Sequence, residues 1–393
     1  MRVLLNLAED LSVESKIAKR DIVKYLVKLM ERDDQELVQV AVLFLSKLSV
    51  FVENIEEMKI SSVDLIKSLI ALAKSSNLKL QETVFNLLLN LSHDVLFRDS
   101  MVRSSILPVL GDKLKLKISA VTVTKLLYQL TLQDSHRSSP YYSEIIPTCL
   151  QLVNLQTLQF EPTAILINLA TVPEHIKFFG DANVIRSLLR TAIQKRDLLI
   201  FKLIRNLSQH PDSELKVKIM DSLDDMLVLM KTSLDNPDLV QEILGIVGNL
   251  TLKEFDFRKL AETHSLLPFC TEIILSSLRK SEKDEYNDKD GVLLMVISLL
   301  GTMTLDESIL PDIARSEIPS LLVEIMLLKR NDDEIILQSS YCLYHFLLHR
   351  PLQKILAANH RILGILIDLF FTDCIEIQKI GAACLDVLSV LVC

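Results

Sequence analysis

A short phrase returns along this chain at nearly constant spacing: an apolar run closed by Asn, Leu and a small residue. It reads LLNLA at Leu4–Ala8, LLNLS at Leu88–Ser92, LINLA at Leu166–Ala170, IRNLS at Ile204–Ser208 and VGNLT at Val247–Thr251. Weaker copies are LSKLS at Leu45–Ser49, YQLT at Tyr128–Thr131, GTMT at Gly301–Thr304 and YHFL at Tyr344–Leu347. From Asn6 to Asn249 the step is about 40 residues, and the one markedly larger step, to Thr302, contains the charged insert SEKDEYNDKD at Ser281–Asp290. Self-similarity at this period means stacked supersecondary units, each burying its apolar face on its neighbours.

Local patterns say that the units are helical. In Leu239–Leu250 the apolar positions 240, 243, 244, 247 and 250 fall on one helical stripe, and Asn236-Pro237 before it reads as an N-cap followed by proline in the first turn. A second phrase precedes each long helix and is often opened by proline: ILPVL at Ile106–Leu110, IIPTCL at Ile145–Leu150, LLPFC at Leu266–Cys270 and IPSLLVEIM at Ile318–Met326. Proline is tolerated at a helix start, where its missing N–H has no partner to lose. Ile22–Met30 and Ile362–Phe370 are versions without an opening proline. Glycine is scarce, 8 in 393 residues, which disfavours the glycine-rich loops of parallel-sheet enzymes and the hairpins of all-β folds. A short helix, a proline-opened second helix and a long third helix at a ~40-residue period predict an all-α armadillo-repeat solenoid of about nine to ten repeats. We expect it to form one array over residues 1–393, with 281–290 as a polar loop.

Several function classes are disfavoured. The net charge of −8 gives no basic field for general nucleic-acid binding. Six scattered cysteines without CxxC spacing predict reduced thiols, not a disulfide frame. The uncharged run Ile145–Phe160 is too short and too polar to span a bilayer, so no membrane insertion is expected, and Met1–Lys16 lacks the form of a signal peptide. His345 and His349 sit four apart, but HFLLH lacks the glutamate of a zinc protease helix and no third ligand is evident. Gly245 and Gly248 read as close helix packing, not a dinucleotide loop; Asp33-Asp34, Asp224-Asp225 and Asp332-Asp333 read as helix-start acids complementing the dipole. No nucleophile elbow or Walker loop is present, so we expect no enzyme, no cofactor and no metal.

The stretches MRVLLNLAED at Met1–Asp10, LSKLSVFVENIEEM at Leu45–Met58, NLLLNLSHD with FRDSMVRSSILPVL across Asn86–Leu110, LIRNLSQH at Leu203–His210, and EILGIVGNLTLKEFDF with LLPF across Glu242–Phe269 carry a further signal. In these residues the chain resembles the kinesin-associated protein family, the non-motor accessory subunits of heterotrimeric kinesin. The matching stretches run in the family's order along nearly the whole chain. The resemblance implies an adaptor that binds the heavy-chain tails of a heterodimeric kinesin and links the motor to cargo or adaptor proteins in microtubule-based, including intraciliary, transport. It implies the cytoplasm, the cytoskeleton and the cilium as locations, and relative to the family both ends look shortened. The alternative is a general armadillo scaffold of catenin or importin type. With no tryptophan in the chain, importin-like clamping of basic peptides is disfavoured.

Third helices line the inner face of such arrays, so the asparagine slot has two readings. Asn90, Asn168, Asn206 and Asn249 either present a hydrogen-bonding ladder to an extended peptide or satisfy helix-terminal carbonyls. Lys202 and Arg205, with Lys47 and Lys125, either form a groove patch for an acidic partner segment or a solvated helix face.

Overall fold

The computed structural model describes residues 22–155, 160–253, 255–279 and 290–389. The Leu4–Ala8 phrase, residues 281–289 of the polar insert and residues 390–393 lie outside the described residues. The described residues are helices joined by short turns, with no strand among them. No single described helix is long and apolar enough to cross a membrane. The helices fall into two compact units, Met1–Asp181 and Ala182–Cys393.

The recurring phrase closes the long helix of each repeat. In the first unit these third helices are α1 (Gln35–Leu48), α2 (Leu78–Leu91), α3 (Ala120–Thr131) and α4 (Glu161–Leu169), each packed on the next. In the second unit they are α5 (Leu198–Ser208), α6 (Pro237–Gly248), α7 (Asp290–Met303), α8 (Asp333–Leu347) and α9 (Ile375–Ser389), again packed in order. Second helices such as Ile106–Lys115 with Tyr142–Leu155, and Leu266–Leu278 with Ile318–Leu328, stack into a parallel row behind them. The fold is therefore an armadillo-type solenoid.

A third helix touches neighbours on both flanks as well as the row behind, so its buried surface is wider than a simple stripe. In α6, Leu239, Val240, Glu242, Ile243, Leu244, Gly245, Ile246 and Val247 are all buried. The apolar positions 240, 243, 244, 247 and 250 are each at most 2% exposed. Each such side chain contributes about 1.5–3 kcal/mol on burial.

Short polar side chains start these helices. Asp34, Asn77, Asp197, Asn236 and Asp332 each accept a backbone N–H from the first turn, as Asp197 does from Leu199 (3.0 Å) and Ile200 (3.1 Å). The carbonyls at the other end are met by side chains from first helices. Asn54 donates to Leu48 O, Arg98 to Ser92 O at 2.7 Å and Arg137 to Thr131 O at 2.6 Å, each reaching six residues back. The carbonyls of a helix's last turn lack intrahelical partners, and these donors supply them.

One expected start is displaced. Pro319 lies in the first turn of its helix, but Pro147 sits inside Tyr142–Leu155. Tyr142, Ile145, Ile146, Cys149, Leu150 and Val153 are all buried at helical spacing. That continuous stripe pulls the helix start upstream of the proline.

Candidate partner-binding surface

The asparagine slot works across repeats. Asn90 Nδ2 donates to Ser49 Oγ (2.9 Å) and Ser46 O (3.3 Å) on α1 and its C-cap. Asn168 Nδ2 donates to Thr131 Oγ1 at 3.0 Å, and Asn249 Nδ2 to Ser208 Oγ (3.0 Å) and Arg205 O (3.5 Å). The acceptor is the small residue that closes the preceding phrase. Its own hydroxyl proton goes three residues back, from Ser49 to Ser46 O and from Ser208 to Arg205 O, which frees its lone pairs for the incoming amide. Where the slot holds threonine, Thr302 Oγ1 donates to Gly248 O at 3.1 Å and keeps the link. The phrase is thus a clasp between neighbouring third helices. The carbonyls it satisfies belong to the preceding repeat, not to the asparagine's own turn. Both amide protons of Asn90 and Asn249 have acceptors here, which leaves their side-chain oxygens to meet a peptide N–H. Asn206 is half-buried in the last turn of α5.

Lys202 and Arg205 both lie half-buried on α5 but differ in surroundings. Arg205 extends over α6: Nη1 lies 3.5 Å from Glu242 Oε2 and Nη2 lies 3.2 Å from Met295 Sδ on α7. Gly245 makes the room, since a Cβ there would stand 2.5 Å from Arg205 Nε. Burial pushes the Glu242 carboxyl above its ordinary range, against the opposing pull of Arg205 and Lys202. Arg205 therefore neutralises a buried acid of its own chain, and Lys202 acts on the same acid through its charge alone.

In each unit the residues one helical turn before the slot form a second row on the third helices. In the first unit it holds Asn86 and Lys125, both exposed; in the second it holds Lys202, Gly245, Ser298 and Tyr341, of which Tyr341 is exposed and Lys202 and Ser298 are half-buried. Between α7 and α8 this row opens into a cavity of about 250 Å³ lined by Ser298, Thr302, Gln338, Tyr341 and His345. Ser298 Oγ donates to Gln338 Oε1 at 3.2 Å, which turns the Gln338 amide nitrogen away from that bond. The slot alone does not mark Gln338 and Tyr341; counting four and seven residues back from His345 finds them. Burial, and then neighbouring His349, hold the His345 imidazole below its usual pKa, which favours the neutral ring. His349 itself lies past the end of α8, at the N-cap of Arg350–Ala357, so the two histidines do not share a helix face. Among the described residues no three His, Cys, Asp or Glu side chains converge as metal ligands would.

The profile described as kinesin-associated protein (KAP) matches residues 1–392. The chain belongs to the kinesin-associated protein family. Solved structures agree on the fold. An engineered protein, known from a crystal structure, aligns with 98% of this chain and 94% of its own at a TM-score of 0.72 and 18% identity. A structure from work on a phosphorylation switch controlling the interaction between cadherin and β-catenin aligns with 98% of this chain and 90% of its own, at a TM-score of 0.65 and 13% identity. At such identities the likeness carries architecture alone. Family membership carries the kinesin association, and it fits a chain whose surface offers helix faces and clefts along stacked repeats.

Proposed function

We propose that this chain is a non-catalytic adaptor that binds the heavy-chain tails of a heterodimeric kinesin and links the motor to cargo or adaptor proteins for microtubule-based, including intraciliary, transport. The family match over residues 1–392 is the observation that carries this reading. Cytoplasm, cytoskeleton and cilium are the corresponding locations. The third-helix face is the docking surface in this proposal. Lys202 offers charge to an acidic tail segment, the side-chain oxygens of Asn90 and Asn249 offer acceptors, and Asn168 and Asn206 occupy the same slot on their own third helices. Arg205 shapes the same face from its perch over Gly245.

The test is capture of purified motor tails by the full chain. Lys125→Glu with Lys202→Gln removes two cations from third helices without setting a second carboxylate near the Arg205–Glu242 pair. Arg190→Glu, on the exposed side of the second helix Ala182–Lys195, is the control. Tail affinity should fall ~10-fold or more in the double variant, the equivalent of ~1.4 kcal/mol, and stay unchanged in the control. Unchanged tail binding in the double variant together with loss in the control would place the motor on the second-helix side. Capture of cadherin-like peptides with no capture of motor tails would favour a catenin-type scaffold.

A further inference from the structure

Lys216 is buried with no acid paired to it among the described residues. It lies on the first helix Ser213–Met220 and is 5% exposed. Its Nζ donates to Asn249 O at 2.7 Å and to Thr251 Oγ1 at 2.9 Å, both neutral acceptors. Among the described residues no carboxylate lies within ion-pair distance of it, whereas half-buried Lys59, Arg205 and Lys329 each have one. An ammonium carries three N–H donors, so two bonds leave one unmatched. Burial accordingly lowers the lysine's pKa. Capping the end of α6 explains the two bonds, as Arg98 and Arg137 cap α2 and α3, but it leaves the third N–H of the ammonium without an acceptor among the described residues.

What lies beside Lys216 supplies a reason. It lines a solvent-open cavity of about 580 Å³ with Val217, Met220, Leu252, Lys253 and Phe255. That volume falls within the ~300–1,000 Å³ of ligand sites. The walls are mostly apolar, with one buried cation at the lining and a second, exposed lysine at position 253. The residues after α6 build this wall: Thr251 N bonds Asn249 O and Leu252 N bonds Leu250 O, two tight turns that end the helix. A neighbouring cavity of about 450 Å³ shares Lys253 with this one but adds Asp306 and Glu307 and lacks Lys216, so an acidic occupant is favoured on the Lys216 side.

We propose that the Lys216 cavity binds an acidic side chain of a partner polypeptide, an Asp or Glu next to a large apolar residue. The carboxylate takes the remaining N–H of Lys216, and the apolar neighbour packs on Met220, Leu252 and Phe255. Charge complementarity selects this occupant: a cation without an acid, set in apolar walls, matches an anion carried on an apolar body. Lys202, Arg205 and Asn206 do not line this cavity, so the site stands independently of the third-helix face.

The probes are acetyl-Glu-Phe-amide and its neutral counterpart acetyl-Gln-Phe-amide, titrated against the full chain by saturation-transfer NMR. The Glu peptide should bind saturably and ~10-fold or more tightly than the Gln peptide. Lys216→Met should abolish that preference. Because Lys216 also caps α6, a second variant is needed. Val217→Glu alters a half-exposed residue on the cavity wall and sets a competing carboxylate there, and it should abolish binding of the Glu peptide with the helical circular dichroism intact. Equal binding of the two peptides, absence of saturable Glu-peptide binding, or wild-type binding by folded Val217→Glu overturns the proposal.

Discussion

The Arg205 guanidinium is turned onto its own chain, and its energetic role follows from the acid beneath it. Glu242 is 6% exposed, and burial raises its pKa in the folded state. A carboxyl raised on folding binds more protons in the native than in the unfolded chain. Its stabilising contribution is therefore complete below the ordinary glutamate range near 4.5 and is lost as pH rises through the folded value. Arg205 limits that loss. In Arg205→Met the carboxyl should rise further, so the melting temperature should match wild type most closely at acid pH and fall behind it towards neutrality. Melting followed by circular dichroism over that range checks this; a deficit independent of pH would mean that Arg205 contributes packing alone. Asn249 gives a second case. Asn249→Ala removes the amide held by Ser208 Oγ and should cost ~1 kcal/mol. Asn249→Asp should cost more, because it turns an acceptor towards Arg205 O and Ser208 Oγ. Urea unfolding of the pair decides between them, and equal losses would argue against a donating clasp.

At the scale of the helix, the starts were legible and the lateral bonds were not. A short polar residue before an apolar period announces an N-cap from sequence alone, as Asn236 before Pro237 does, because the bond it makes is local. Asp197→Ala removes the acceptor for Leu199 N and Ile200 N at the head of α5. It should cost about 0.5–2 kcal/mol in urea unfolding and raise amide exchange in the first turn of α5 first. The asparagine clasp joins residues 37 to 44 positions apart, so periodicity marks that the residue matters without naming its partner. Pro147 shows the same limit: a strong local stop signal lost to a buried stripe that begins at Tyr142. Gly245 reads as helix packing in sequence, and only the path of the Arg205 side chain shows what fills its space.

At the scale of the whole molecule, the ~40-residue repeat and the paucity of glycine were enough to read an armadillo solenoid, since every repeat solves the same packing problem. The candidate surface was only half legible. Its residues sit on third helices in both units, but what each side chain meets, as Arg205 meets Glu242, depends on neighbours in the next repeat. Repeat arrays also carry a cost wherever a repeat face is left unstacked, because apolar surface meets water there. Leu363 and Ile367 on the helix Arg361–Asp368, Phe371 just beyond it and Ile375 at the start of α9 are 57%, 52%, 83% and 63% exposed. Two of them lie one turn apart on one helix face, and the others follow within eight residues, a concentration of large apolar groups of the kind that marks interaction or aggregation surface. Sedimentation velocity should therefore show this chain self-associating as its concentration rises. Leu363→Gln with Phe371→Ser should shift it towards monomer without lowering the melting temperature, since neither side chain is buried. A wild-type chain that stays monomeric at high concentration, or a double variant that associates as strongly, would show that this face is not the one responsible.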